Sequence, residues 1–272
     1  MAIDLTVGMI SATVEIDQPQ EGGPRIVGTG FLVDAPKPDG TPRTVLITAA
    51  HVLDNMPGQS VRIGYRFQDK ATGAWRFSAE ALPIRQGALQ LWVKNPTRDI
   101  AAMEIKAPPE FARAAIPLAW LADETELKQA QVGPGDEMMV LGYPEGLAAN
   151  HQGFPILRAG RVASYPITPI AEFPSFLLDF RVFSGNSGGP VFVTGDLHRR
   201  PGTEALGDGF VAGVLTQQTS VGGERLELGI VTHAVFVRQT IALLDQAPSI
   251  ADSAPQAASA AAAPAAAGAP PP

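Results

Sequence analysis

A serine set between glycines, a histidine at the end of an apolar strand and an aspartate heading another strand have types that suit one chemistry together. Gly185-Asn186-Ser187-Gly188-Gly189-Pro190 places a hydroxyl where the backbone must turn tightly and approach a ligand closely. A serine hydroxyl is a weak nucleophile and needs a base beside it. Leu46-Ile47-Thr48-Ala49-Ala50-His51-Val52 supplies one, because imidazole takes and returns a proton near neutral pH. In Arg98-Asp99-Ile100-Ala101-Ala102-Met103-Glu104-Ile105 a single acid heads an apolar strand. Its carboxylate suits the Nδ1–H of a histidine, fixing the tautomer and stabilising the imidazolium. The N–H groups of Gly185 and Ser187 are spaced to share one hollow and to receive a developing oxyanion. The chemistry is acyl transfer, with Ser187 as nucleophile, His51 as general base and Asp99 as the orienting carboxylate.

Each motif alone has a plainer reading. The serine could cap a glycine-rich turn, the histidine could end a strand, and Asp99 could pair with Arg98. Together they run in the order His, Asp, Ser, which is the chymotrypsin order and not that of subtilisins or α/β-hydrolases. Each is expected at a strand edge. The other histidines, His151, His198 and His233, read as surface or capping residues. None has ligand-like spacing with a carboxylate or a second histidine, so no metal or other cofactor is expected.

The elements that must position these residues are short strands. Alternating or apolar runs cover Thr13 to Ile16, Ile26 to Val33, Thr44 to Thr48, Val61 to Phe67, Trp75 to Leu82 and Ile100 to Ile105. A second set covers Glu137 to Leu141, Ile156 to Val162, Phe176 to Phe183, Val191 to Val193, Phe210 to Leu215 and Gly229 to Thr232. Turn residues between them point to antiparallel barrels or sandwiches. Asp123 to Ala130 reads as a short helix with acidic residues at its start, and Ala234 to Asp245 as a closing helix. From Ala247 the composition turns to Ala, Pro, Ser and Gly, with too few large apolar side chains to offset ordering. Residues 247–272 are expected to be a disordered tail, and a candidate partner-binding segment.

The 272 residues are 45% hydrophobic and 17% charged, enough for a sizeable core. The net charge of −7 and pI near 5.1 argue against a nucleic-acid partner. There is no cysteine, which excludes disulfides, thiolate metal sites and a cysteine nucleophile. No signal peptide is read at the N-terminus and no apolar run reaches membrane-spanning length. The expectation is a cytoplasmic protein without a membrane partner.

The motifs then combine into a family resemblance. The chain resembles trypsin-like peptidases of the chymotrypsin superfamily, nearest the bacterial Deg/HtrA-type branch, over roughly Ile10 to Leu244. The matching segments are Gly28-Thr29-Gly30-Phe31-Leu32-Val33, Thr48-Ala49-Ala50-His51-Val52, Asp99-Ile100-Ala101, Leu141-Gly142-Tyr143-Pro144-Glu145-Gly146 and the full serine motif. The resemblance implies an all-β fold of two antiparallel six-stranded barrels, about 1–115 and 130–232, with a closing helix over 234–245. The whole protease domain would span 1–246. His51 and Asp99 would come from the first barrel and Ser187 from the second, for hydrolysis of protein or peptide substrates through an acyl-enzyme.

Three departures shape the expectation. No PDZ domain follows the protease unit. Asn186 stands where secreted trypsins carry an aspartate that pairs with a newly cut N-terminus, so zymogen cleavage is not implied. Arg181 occupies the pocket-floor position, which argues against cleavage after Lys or Arg; its plain reading is a surface pair with Asp179. By the resemblance, Gly213-Val214-Leu215-Thr216 pairs with the substrate backbone, and Leu228 to Val231, with Ile230, lines the opposite wall. Arg181, Val214, Leu215, Thr216 and Ile230 are therefore the substrate-binding candidates, for a small or aliphatic residue before the scissile bond. The competing readings are a non-catalytic scaffold or sensor of the same fold, and a latent protease whose loop over Phe183 to Asn186 awaits a partner. A small-ester hydrolase is a weaker alternative.

Overall fold

The computed structural model describes residues 4–195, 198–203, 207, 209–221 and 224–246. The proline-rich tail lies outside the described residues. The chain is mostly β, as its alternation requires. The N-terminal half contains β1 (Thr13–Gln20), β2 (Gly23–Asp34), β3 (Thr44–Thr48), β4 (Ser60–Gln68), β5 (Trp75–Pro83), β6 (Arg85–Gln86), β7 (Leu89–Gln90), β8 (Val93–Lys94), β9 (Ala101–Ile105) and β10 (Ile116–Pro117). Seven of these form a path in the order β5-β4-β1-β2-β3-β9-β8, and β10 adds to β2 in parallel. Strands β6 and β7 form a separate hairpin.

The C-terminal half contains β11 (Glu137–Gly142), β12 (Ile156–Val162), β13 (Ser175–Asp179), β14 (Pro190–Val193), β15 (Phe210–Val221) and β16 (Glu224–His233). These close a six-stranded barrel in the order β11-β12-β13-β16-β15-β14. Pairing of Met139 with Phe192 seals the ring. Of the two six-stranded barrels expected, ring closure is seen in this half; among the described residues the N-terminal ladder is an open path.

Five helices are short. They are α1 (Leu5–Ala12), α2 (Ala50–Asp54), α3 (Pro109–Ala112), α4 (Glu124–Gln129) and α5 (Ala234–Leu244). The expected helix near Asp123 is α4, started by a capping box between Asp123 and Glu126. The closing helix is α5, which buries Val237, Thr240 and Ile241 along one face. Helices α1, α2 and α3 were not anticipated. The α1 segment carries glycine and β-branched residues, so its helix rests on burial of Met9 and Ala12 and on an Asp4 cap. Among the described residues no helix is long and apolar enough to cross a membrane.

The core has three parts. Val14, Leu32, Leu46 and Tyr65 belong to the cluster of the first sheet. Phe176, Leu178, Val191 and Leu215 belong to the cluster of the closed barrel. The third cluster joins both halves through Phe31, Ile47, Leu141, Phe192, Val214 and Val237. Arg66 reinforces this seam while only 3% exposed. From β4 it donates to the Tyr143 hydroxyl at 2.8 Å and the Gly153 carbonyl at 3.1 Å in the second half. It also donates to the carbonyls of Ile10 and Ser11 in α1 at 3.1 and 3.0 Å, and to that of Thr13. A buried cation with this many carbonyl partners fixes register, because each lost partner leaves a costly unpaired group.

His233 corrects an expectation. It sits at the N-cap position of α5 without a side-chain capping bond, and it is fully buried, not on the surface, with its ring 5.0 Å from that of Phe176. Neither ring nitrogen has a hydrogen-bond partner among the described residues. Burial pushes its pKa down to about 4, against weaker upward pulls from the backbone near Phe173 and Ile167, which the ring approaches without well-formed hydrogen bonds, and from Glu124. A folded pKa below the unfolded one means that the unfolded chain binds the extra proton first. Stability is therefore intact above about pH 6.5 and falls as pH drops toward 4, by about 3 kcal/mol if nothing relaxes. Thermal unfolding followed from pH 7 to pH 4.5 should show this loss in the parent, and a flatter profile in His233→Gln.

Candidate active site

His51 lies in the first turn of α2, not at a strand edge. Strand β3 ends at Thr48, and Ala49 caps the helix. Asp99 sits on the turn that enters β9. The Asn95 Oδ1 accepts the N–H groups of Thr97 and Arg98, both at 3.1 Å, and the Asn95 N–H donates to the Ile100 carbonyl at 2.9 Å. Helix α5 supports this turn, since the Asn95 Nδ2 donates to the Thr240 hydroxyl at 3.2 Å. Arg98 stacks on Phe236, 5.2 Å from the ring centre, so Asp99 is left for the histidine.

His51 and Asp99 meet at two points. The His51 Nδ1–H lies 2.6 Å from Asp99 Oδ2, and the His51 backbone N–H donates to Oδ1 at 2.9 Å. A carboxylate can only accept here, so the contact places the proton on Nδ1 and leaves Nε2 bare as a base. Burial pushes the Asp99 carboxyl up. The His51 bonds outweigh it and hold the pKa below the usual carboxylate value. The His51 side chain is 38% exposed, so the ring remains open to a ligand.

Ser187 comes to the same place on a loop threaded between β2 and β15. The Thr29 N–H donates to the Ser187 carbonyl at 2.9 Å. The Gly188 N–H donates to the Leu215 carbonyl at 2.8 Å, and the Leu215 N–H to the Gly189 carbonyl at 2.9 Å. Gly188 has φ +89°, and a Cβ there would lie 2.0 Å from the Thr29 carbonyl and 3.0 Å from the Ala49 nitrogen. Only glycine lets this loop run so close to the segment that starts the histidine helix. Among the described residues, no hydrogen bond joins the Ser187 hydroxyl to His51. Catalytic hydrogen bonds often tighten only when substrate binds.

Gly185 takes φ +90°, and a Cβ would lie 2.3 Å from the Tyr143 carbonyl. Among the described residues, neither the Gly185 nor the Ser187 N–H donates to a protein group. Two adjacent unengaged amides beside a serine are what an oxyanion site needs. Asn186 between them is 2% exposed, and its Nδ2 is without a protein partner among the described residues. Being uncharged, it needs no buried cation.

The specificity candidates separate. Arg181 does not pair with Asp179. Its side chain is 61% exposed, reaches Glu227 at 3.2 Å and lies 5.1 Å from the centre of the Phe183 ring. Asp179 pairs through its backbone with Leu228, and the Phe180 N–H donates to the Glu227 carbonyl at 3.2 Å, which brings Glu227 to the Arg181 side. The Val214 and Leu215 side chains are fully buried, the first at the seam and the second inside the barrel. The expected role of this strand, pairing with a substrate backbone, rests on its main chain and not on these two side chains. The Thr216 hydroxyl is turned to the Ile230 carbonyl at 3.3 Å and the Thr232 hydroxyl at 3.2 Å, and Ile230 is half-buried. Gly229 is hemmed by Leu215, Val182 and Phe180, an apolar lining without a charge.

Sequence reading passed over Thr29. Its hydroxyl donates to the Gly185 carbonyl at 2.6 Å and accepts the Tyr143 N–H at 3.1 Å. Its carbonyl accepts the Thr48 hydroxyl at 2.7 Å. The signal was its place between Gly28 and Gly30, where the backbone is closely approached. Thr29→Val keeps the shape and removes the hydroxyl, leaving two buried groups unpaired. Turnover should fall by up to about 10² through misplacement of the Gly185 amide, and stability by about 2 kcal/mol. Thr29→Ser should restore both. Gly185→Ala should lower turnover by about 10²–10³, with KM much less affected. Steady-state kinetics and thermal unfolding of the three variants check this.

Comparison with known proteins agrees with this geometry. The model of the trypsin-like peptidase domain matches residues 28–197. No curated protein matches. Among solved structures, a serine-to-alanine variant of the HtrA-type protease AlgW with a tripeptide is similar with a TM-score of 0.52 and 13% identity. That alignment covers 89% of this chain and 62% of the other, so the chain spans under two thirds of that protein's length. At this identity the likeness speaks for the fold. With its family model running from the strand of Thr29 through the serine loop, the chain belongs to the trypsin-like peptidase domain family.

Proposed function

We propose that this protein is a serine endopeptidase working through an acyl-enzyme. The observation that carries the reading is the two-point hold of Asp99 on His51, at 2.6 and 2.9 Å. It fixes the bare Nε2 on the side open to a ligand. In the reaction, His51 Nε2 takes the Ser187 proton as Oγ attacks the scissile carbonyl. The oxyanion accepts hydrogen bonds from the Gly185 and Ser187 amides. The imidazolium, stabilised by Asp99, gives its proton to the leaving amine, and the C–N bond breaks. Water then repeats the cycle on the ester and frees the acid. The first sheet serves as the first of two barrels, and the active site lies between them.

The residue before the scissile bond is small or aliphatic in this reading. The surroundings of Gly229 are Leu215, Val182 and Phe180, which carry no charge, while Arg181 is engaged by Glu227 at the exterior. A latent form is the second reading. It draws on the missing hydrogen bond between Ser187 and His51 and would need a partner to complete the site.

A fluorophosphonate probe should label the protein and fail to label Ser187→Ala, and the parent should digest casein. Absence of Ser187-dependent labelling removes the enzymatic reading. Labelling without digestion points to the latent form. Peptides with Val, Ala or Leu before the cut should be hydrolysed faster than their Lys, Arg or Glu counterparts, and a profile dominated by acidic residues defeats that part.

A further inference from the structure

A cavity of about 460 Å³ opens where α1, β4, β5 and the segment from α3 to β10 meet. It is built mostly from apolar and aromatic side chains, among them Trp75, Trp120, Phe111, Phe154 and Pro117. Trp75 and Phe154 pack edge to face with ring centres 4.9 Å apart. Trp75 is 44% exposed, an unusual position for an indole without a partner. Arg66 also lines the cavity, and its Nε–H is buried with no acceptor among the described residues. The site thus combines aromatic faces with an unused donor and calls for a ligand of compact apolar rings that carries a carbonyl. None of these residues belongs to the candidate active site.

Proline-rich backbone has that chemistry. A polyproline II segment presents pyrrolidine rings and exposed carbonyls, lacks N–H groups of its own at each proline, and loses little entropy on docking against aromatic grooves. The sequence just past the last described helix has prolines of this kind. Residues 247–272 include Pro248, Pro255, Pro264, Pro270, Pro271 and Pro272. A relay of contacts runs from the departure point to the cavity rim. Asp245 caps α5 and binds Arg43 at 2.6 Å, and the Arg43 Nε donates to the Ala35 carbonyl at 2.8 Å. Asp34, the residue before Ala35, pairs with Pro117 on the cavity rim. Leu244 and Trp120 pack against one and the same apolar cluster. At about 3.1 Å per residue, 26 residues in polyproline II form would reach roughly 80 Å.

We propose that the proline-rich segment 247–272 docks in this cavity of its own chain, with proline rings between Trp75 and Trp120 and a carbonyl on Arg66. The segment is a built-in ligand, and the cavity is a proline-recognition site separate from the Ser187 cleft.

The absence of cysteine in the 272 residues allows a direct test on this chain. Ala267→Cys or Ser259→Cys carries a nitroxide, which quenches nearby indoles. Trp75 and Trp120 are two of the three tryptophans, and the third, Trp92, is buried under Arg85. Emission of the Ala267→Cys conjugate should fall relative to the same sample after ascorbate reduction, equally at all protein concentrations. An excess of free peptide matching residues 261–272 should restore it. Trp75→Ala, a surface change on β5, should weaken the quench while thermal unfolding stays cooperative. A quench that grows with protein concentration places a second copy's segment in the cavity and overturns docking within one chain. No quench from either labelled position overturns the proposal entirely.

Discussion

The Thr29 hydroxyl is the point through which the two halves of this protein hold the catalytic loop. One buried oxygen gives its proton to the Gly185 carbonyl and takes one from the Tyr143 amide. The same residue uses its N–H on Ser187 and its carbonyl on the Thr48 hydroxyl. Every polar group of Thr29 is therefore spent on aligning β2, β3, the turn after β11 and the serine loop. Fixing the Gly185 carbonyl fixes the plane of the following peptide, which carries the Asn186 nitrogen, and constrains the whole turn from Ser184 to Ser187. Strain at φ +90° is tolerated because no Cβ is present and because these bonds leave the loop few other arrangements. An oxyanion site works only if its donors are in place before charge develops, so this constraint precedes the chemistry.

Without disulfides, the seam between the halves must resist opening by packing and hydrogen bonds alone. The shared apolar cluster supplies most of the driving force, since burial of side chains such as Phe31, Phe192 and Val237 scales with area. Arg66 and Thr29 supply direction. A guanidinium in the interior is expensive unless its donors are met, and here carbonyls from α1 and from the Gly153 turn meet most of them. Phe111 and Phe154 add their ring faces at 5.5 and 5.2 Å. Helix α5 clamps the seam from behind. It reaches the Asp99 turn through Thr240 and the β3 edge through Asp245 and Arg43. The orientation of the carboxylate thus depends on a helix far from it in sequence.

The candidate site residues stood out because local sequence marks them. Glycines around Ser187, small residues before His51 and an apolar run after Asp99 are each a few positions long. The strands were legible for the same reason, as was α4, whose capping box lies within four residues. Thr29, Arg66 and Asn95 act through partners far along the chain; the Thr29 hydroxyl bonds lie 156 and 114 positions away. No short-range pattern encodes such pairings. The short helix under His51 was hidden because its apolar residues serve equally as a strand end, and tertiary packing decides between the two. His233 failed as a surface residue because burial is a property of the closed barrel, not of its neighbours in sequence. Arg181 was misassigned to Asp179 because alternation put both on one face, whereas the irregular end of β16 offered the nearer carboxylate in Glu227.

Tyr143 lies between the candidate active site and the aromatic cavity. Its backbone N–H reaches Thr29, and its carbonyl sits against Gly185. Its phenol accepts from Arg66, which lines the aromatic cavity. One side chain and its own peptide therefore span from the cavity floor to the oxyanion loop, and the ring between them is completely buried. A packed aromatic ring cannot shift by small continuous amounts without opening voids or clashing. Any displacement of the Arg66 guanidinium is absorbed either by breaking its bond to the phenol or by moving the Tyr143 unit as a whole. The second course changes the wall against which Gly185 is set. The physical continuity runs through Tyr143 before it reaches any of the three reactive residues.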